Sequence, residues 1–140
     1  MKDSTTLNSA DAMEIVRRIV ARATELNKAA VIAVSDDHGE LLAFARMDGA
    51  PLSSIRVAIN KAYTAARERK PTKDIGDKVK HPEKGFDIAY YGDPAFVGWG
   101  GGIPIRWNDQ VVGAIGVSGL SSAEDIELAT FGLQALPKPG

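Results

Sequence analysis

The chain contains no cysteine, which excludes disulfide staples, thiolate catalysis and cysteine-ligated zinc in one step. It also lacks a charge excess: 17 Lys and Arg against 18 Asp and Glu leave a net charge of −1. No broad field draws it to nucleic acid or to an anionic membrane, and neither is expected as a partner. No stretch approaches the ~20 apolar residues of a membrane span, and the opening MKDSTTLNSADAMEIV has no apolar signal core. A cytoplasmic location is the expectation. Histidine is scarce, at two residues, and no C-x-x-C-H haem-attachment motif exists. What remains is ordinary for a globular protein: 140 residues, 44% hydrophobic and 25% charged. That length suits one domain over 1–140 with its own core, with 1–8 and 137–140 expected to fray.

The chain is organised around residues 100–120, GGGIPIRWNDQVVGAIGVSGL. Ile103, Ile105 and Trp107 alternate with Pro104 and Arg106, the period of a strand with one buried face. Asn108-Asp109 supplies a turn, because both residues tolerate left-handed backbone. The following run is apolar on both faces, so this strand should be central. One face is expected to carry Val111, Ile115 and Val117, the other Val112, Ala114, Gly116 and Ser118. The small residues of the second face imply close approach by a helix, a partner subunit or a ligand. Pro104 predicts a bulge or an unpaired side on the first strand.

In chain order, a first helix is predicted from an N-cap at Ser9, with stripe Val16, Ile19, Ala23 and Leu26 and a left-handed stop at Asn27. Strands follow over 30–35 and 41–47, joined by a turn at Asp36-Asp37-His38-Gly39. A second helix, capped by Ser53 or Ser54, buries Ile55, Ala58, Ile59, Ala62 and Ala66, which leaves Lys61 and Thr64 a quarter-turn or more off that stripe. Residues 70–98 hold prolines and glycines without sustained period, predicting a functional or assembly loop with short helical turns. Ser121-Ser122-Ala123-Glu124 is a capping box opening a last helix with stripe Ala123, Ile126, Ala129, Thr130 and Leu133. The fold class is α+β, an antiparallel sheet of four or five strands with helices against it, in the order α-β-β-α-(loop)-β-β-α.

Three stretches carry a family resemblance: Val34-Ser-Asp-Asp-His-Gly-Glu-Leu-Leu-Ala-Phe-Ala-Arg-Met-Asp-Gly-Ala50; Ile59-Asn-Lys-Ala-Tyr-Thr-Ala-Ala66; and Gly101-Gly-Ile-Pro-Ile105 with Val112-Gly-Ala-Ile-Gly-Val-Ser-Gly119, then Glu124-Asp125 and Ala129. In order and spacing they resemble the GlcG/HbpS-like family, also known as the haem-degrading or DUF336-type domain and related to the PduO C-terminal domain. The resemblance implies a profilin-like or PAS-like fold and homo-oligomers, often octamers. It implies haem or a corrinoid as ligand, and relatives in glycolate, diol and aromatic catabolism.

The residues themselves offer several candidates, each beside a plainer reading. Haem iron needs an axial donor. His38 sits in a turn and reads as solvated, whereas His81, extended before Pro82, can reach a pocket. Arg46, Asp48 and Lys61 form a second set: an anion anchor or an acid–base pair, or else a surface ion pair between Asp48 and Lys61 worth under ~1 kcal/mol. Gly101 and Gly102, in the run from Gly98, can cradle an anion with backbone N–H groups or serve close packing. The run is not a dinucleotide fingerprint, and Gly116–Gly119 is one position short of a nucleophile elbow. Trp99, Tyr91 and Phe96, gathered with Tyr90 and Phe86, read as a pocket wall or a subunit interface.

The expected function is a small-molecule-binding homo-oligomer taking haem, a corrinoid or an anionic catabolic metabolite. Its pocket would lie between 70–102, the second helix and a neighbouring subunit, with Lys61 and Arg46 on the anionic groups. A cofactor-independent catabolic enzyme using Lys61 and Asp48 as acid and base is the alternative, and a structural or sensor-partner module the third.

Overall fold

A computed structural model describes residues 6–136; the expected fraying of 1–5 and 137–140 lies outside the described residues. Within the described part of 1–8, Leu7 is packed into the core. Leu7 is 2% exposed, and its N–H donates to the Val112 carbonyl at 2.9 Å. The first helix, α1 (Ser9–Glu25), is capped one residue earlier than expected. The Asn8 side chain, not that of Ser9, accepts the Asp11 N–H at 2.8 Å. Ala12, Ile15, Val16, Ile19 and Ala23 are buried, and Asn27 closes the helix in the left-handed region at φ 58°. Leu26, expected on the inner stripe, is largely exposed.

Four strands follow from the two hairpins: β1 (Val31–Asp36), β2 (Leu41–Arg46), β3 (Gly102–Trp107) and β4 (Gln110–Ser118). They form one antiparallel sheet in the order β2-β1-β4-β3. The two strands with the most continuous apolar runs are the central ones, as their two-sided burial requires. The β1–β2 turn is tied by the Asp36 carboxylate, which accepts the N–H groups of His38 and Glu40. Asn108 and Asp109 both take positive φ, at 50° and 64°, the geometry of a tight hairpin turn. Pro104 is accommodated because β3 is an edge strand.

The faces of β4 differ from the alternation expected. Ile105 pairs with Gly113 but Arg106 with Val111, so Val112 is an extra, bulged residue. The bulge moves Val112 to the side of Ile115 and Val117, where all three join the core built with α1. Val111 drops out of both core clusters.

The second helix, α2 (Ser54–Glu68), covers the other face. Val31, Ala33 and Ala114 meet Ala58, Ala62, Ala65 and Ala66 there. The small face of β4 is thus explained by the chain's own helix. A Cβ on Gly116 would stand 2.1 Å from the Ala58 carbonyl oxygen and 2.7 Å from the Ala62 nitrogen. The segment expected to be a loop contains a true helix, α3 (Thr72–Val79), and a 3-10 turn over Ile88–Tyr91. The last helix, α4 (Ser122–Gly132), opens on the expected Ser121–Glu124 capping box. Its inner stripe is rotated, however: Asp125, Leu128, Ala129 and Gly132 are buried, while Ala123 and Thr130 are exposed.

Gly116→Ala is expected to destabilise the fold by about 1–3 kcal/mol through overpacking against backbone that cannot step aside. Urea denaturation should show a lower midpoint with an unchanged slope.

Candidate functional site

Lys61, a quarter-turn or more off the alanine stripe of α2, is 2% exposed, which rules out the surface ion pair weighed for it. The buried surface of α2 is wide, because β4 lies on one side and the segment after α3 crosses another; Thr64 is buried with it. The Lys61 ammonium donates to the Val117 carbonyl at 2.8 Å and to Asp125 Oδ2 at 3.1 Å. The Asp125 Oδ1 accepts the Leu120 N–H at 3.2 Å, tying the carboxylate into the bend between β4 and α4. Burial pulls the Lys61 pKa below its ordinary value and pushes that of Asp125 above its own, while their mutual attraction opposes both shifts. Asp125 was not among the candidates read from the sequence. Its signal was the helical spacing 125, 128, 129, 132, masked because a charge opens an otherwise apolar or small stripe.

The expected pairing of Lys61 with Asp48 is therefore absent. Arg46 and Asp48 are exposed and line a separate recess with Val20, Asn27 and Met47, where α1 ends beside β2. Lys61 and Asp125 instead floor a polar cleft of about 360 Å³, walled by Pro51, Ser54, Trp99, Ser118 and Gly119. A second, mainly apolar recess of about 280 Å³ lies against Gly76, Val79, Ile88, Phe96 and Val97. Trp99 lines both.

The aromatic segment is held in place by Thr64, which the α2 stripe left to one side, and by Thr72 and Tyr63, which sequence reasoning did not single out. Thr64 Oγ1 accepts the Val97 N–H at 3.0 Å, and Thr72 Oγ1 accepts the Gly102 N–H at 2.9 Å. Tyr63 donates its hydroxyl to Asp93 Oδ2 at 2.6 Å. Phe96 packs edge-on to Tyr63, at 6.1 Å between ring centroids, and 4.9 Å from Tyr91. Phe96 reaches the recess wall; Tyr91 packs behind it. Gly101 and Gly102 act in packing. The Gly102 amide is spent on Thr72, and a Cβ on Gly101 would stand 2.9 Å from the Lys61 ammonium. His81 is exposed and lines neither recess; its Nδ1 accepts the N–H groups of Glu83 and Lys84. His38 is exposed in its turn, as expected. Among the described residues no group of three or more His, Asp or Glu is placed to hold a metal, and no helix is long and apolar enough to cross a membrane.

The fold agrees with that of known proteins. The family described as "Haem degrading protein HbpS-like" matches residues 7–134, and the chain belongs to this family. It is 35% identical over 128 residues to an uncharacterized 15.0 kDa protein from the dhaT-dhaS intergenic region of Citrobacter freundii, covering 91% of this chain and 90% of that one. The crystal structure of Klebsiella pneumoniae protein ORFY matches with a TM-score of 0.86 and 32% identity, over 96% of this chain and 95% of the other. A crystal structure of a PduOC:heme complex matches with a TM-score of 0.86 and 27% identity, over 94% and 95%.

Two outcomes test this geometry. Lys61→Met is expected to cost about 3–5 kcal/mol by leaving the Asp125 carboxylate buried and unpaired. Adding Asp125→Leu should return part of that loss in thermal or urea unfolding. The second concerns the clasp on the aromatic segment. The bond to Asp93 raises the Tyr63 pKa above 10.0 and lowers that of Asp93 below 3.8. Each shift favours the bonded form, so the clasp contributes fully between pH 3.8 and 10.0. Its contribution falls as pH rises through the elevated phenol pKa, or drops through the lowered carboxyl pKa. Phenolate absorbance should show one tyrosine titrating late in the native protein, and Tyr63→Phe should remove that step.

Proposed function

We propose that the protein binds a planar small molecule with an apolar body and an anionic edge, of the tetrapyrrole kind, across the two recesses that share Trp99. The observation that carries this reading is Trp99 itself, an indole left 58% exposed in the shared wall of an apolar recess and a polar cleft. An exposed aromatic face offers a stacking platform, and the two flanking recesses separate the sites for an apolar ring and a polar edge. The PduOC:heme complex supports haem as the first ligand to try.

The lining fits the periphery of such a ligand rather than its metal. No His, Met, Cys or Tyr is present in either wall, so neither supplies a usual axial donor. His81, one residue beyond Lys80 of the apolar wall, is the imidazole within reach along the chain. Binding in this reading rests on stacking and edge contacts. Assembly into a homo-oligomer belongs to the same proposal, with a second copy covering Leu52, Tyr90 and Trp99, all more than half exposed. An acid–base role for Lys61 with Asp48 loses support, because the two line different recesses and the ammonium is engaged by Asp125.

Haem titration followed by the Soret band is the test. Saturable binding is expected, weakened about tenfold or more in Trp99→Ala by loss of the stacking surface. A Soret shift that survives His81→Ala removes that histidine as the axial ligand. Undiminished binding in Trp99→Ala would sink the assignment of this recess.

A further inference from the structure

The polar cleft contains two groups that the Lys61–Asp125 pair does not use. Ser54 opens α2 and Ser118 ends β4; each is 6% exposed and both line the cleft. Neither hydroxyl has a hydrogen-bond partner among the described residues. Each hydroxyl is left to the solvent of the cleft, and a ligand that accepts from both takes the place of that water.

The surroundings decide what kind of acceptor fits. Two helices of fifteen and eleven residues, α2 and α4, both begin at the cleft, through Ser53 and Ser54 and through Ser122. The N-cap residue of α2, Ser53, makes no side-chain capping bond. Helix N-termini carry partial positive charge and favour anions. The single carboxylate in the wall, Asp125, has both oxygens engaged, one by Lys61 and one by the Leu120 N–H. Gly119, at φ +114°, keeps that side open: a Cβ there would stand 3.5 Å from Ser54 Oγ. Because the Lys61 and Asp125 charges offset each other, the remaining field suits one negative charge rather than two.

We propose that Ser54 and Ser118 form the seat for a carboxylate monoanion, each hydroxyl donating to one of its oxygens. The inference rests on the reading of the Trp99 recesses as the ligand site and names the group received in their polar half. The carboxylate can belong to the edge of the planar ligand or to a free short-chain acid.

The experiment uses the full chain. Acetate, added at constant ionic strength against chloride, should shift the Gly119 and Leu120 amide resonances saturably, and more tightly than inorganic phosphate does. Ser54→Ala/Ser118→Ala should weaken the acetate response about tenfold or more while folding at least as stably as the parent. If the planar ligand supplies the carboxylate, haem dimethyl ester should bind about tenfold more weakly than haem to the parent, with the difference lost in the double variant. Resonances unmoved by acetate, together with equal binding of haem and its ester, overturn the seat. Tighter binding of phosphate than acetate overturns the monoanion assignment. A parent that responds to acetate but binds no haem keeps the seat and removes the tetrapyrrole reading. Should the double variant fail to fold, the comparisons of acetate with phosphate and of haem with its ester in the parent decide alone.

Discussion

The buried contact between Lys61 and Asp125 is the constraint on which the rest of the structure depends. Taking two full charges out of water costs several kcal/mol per ion, and their attraction recovers this only when the remaining donors and acceptors are also satisfied. Here the ammonium also holds the Val117 carbonyl, and the carboxylate also holds the Leu120 amide. One pair therefore fixes the middle of α2, the end of β4 and the first turns of α4. The Gly101 backbone passes so close that no side chain fits beside the ammonium. The pair also sets the character of the cleft above it, which is polar yet almost neutral in charge.

The two sides of the sheet are built on opposite principles. The side of α1 and α4 is filled by large branched residues, with Ile15 and Ile19 against Ile32, Val34, Ile115 and Val117. The side of α2 is nearly all alanine and glycine, so the helix lies close to the strands. Close approach brings the Lys61 side chain within reach of β4 and α4. It also leaves the outer side of α2 to be covered by the segment fastened through Tyr63, Thr64 and Thr72. The apolar recess lies between that segment and α3, and the polar cleft at the start of α2.

Much of this architecture was legible in the sequence. Alternation, Asn108-Asp109 and the capping box located both β3–β4 and the start of α4, because turn and cap chemistry is local. The bulge at Val112 was not legible: nothing in an apolar run marks which residue is the extra one, so Val112 was assigned to the wrong face and Val111 to a core cluster it does not join. The partner of Lys61 was missed for a different reason. Reading α2 by its alanines sets the lysine off the buried stripe and pairs it with Asp48, in the turn before the helix. The partner was hidden on α4, 64 residues along the chain, in a position that reads as ordinary helix-start acidity. Helix α3 was obscured by Gly76, which lowers helix propensity yet is needed where the backbone of the aromatic segment touches it.

That last contact has a consequence for how a ligand would be received. Gly76 and Gly98 meet backbone to backbone, and a Cβ on Gly76 would stand 2.0 Å from the Gly98 carbonyl oxygen. With no side chain between them there is no rotamer to rearrange and no soft layer to yield. Helix α3 and the strip bearing Trp99 therefore form a stiff, preformed wall. A guest settling against such a wall would lose little ordering entropy, so shape rather than flexibility would govern which molecules fit.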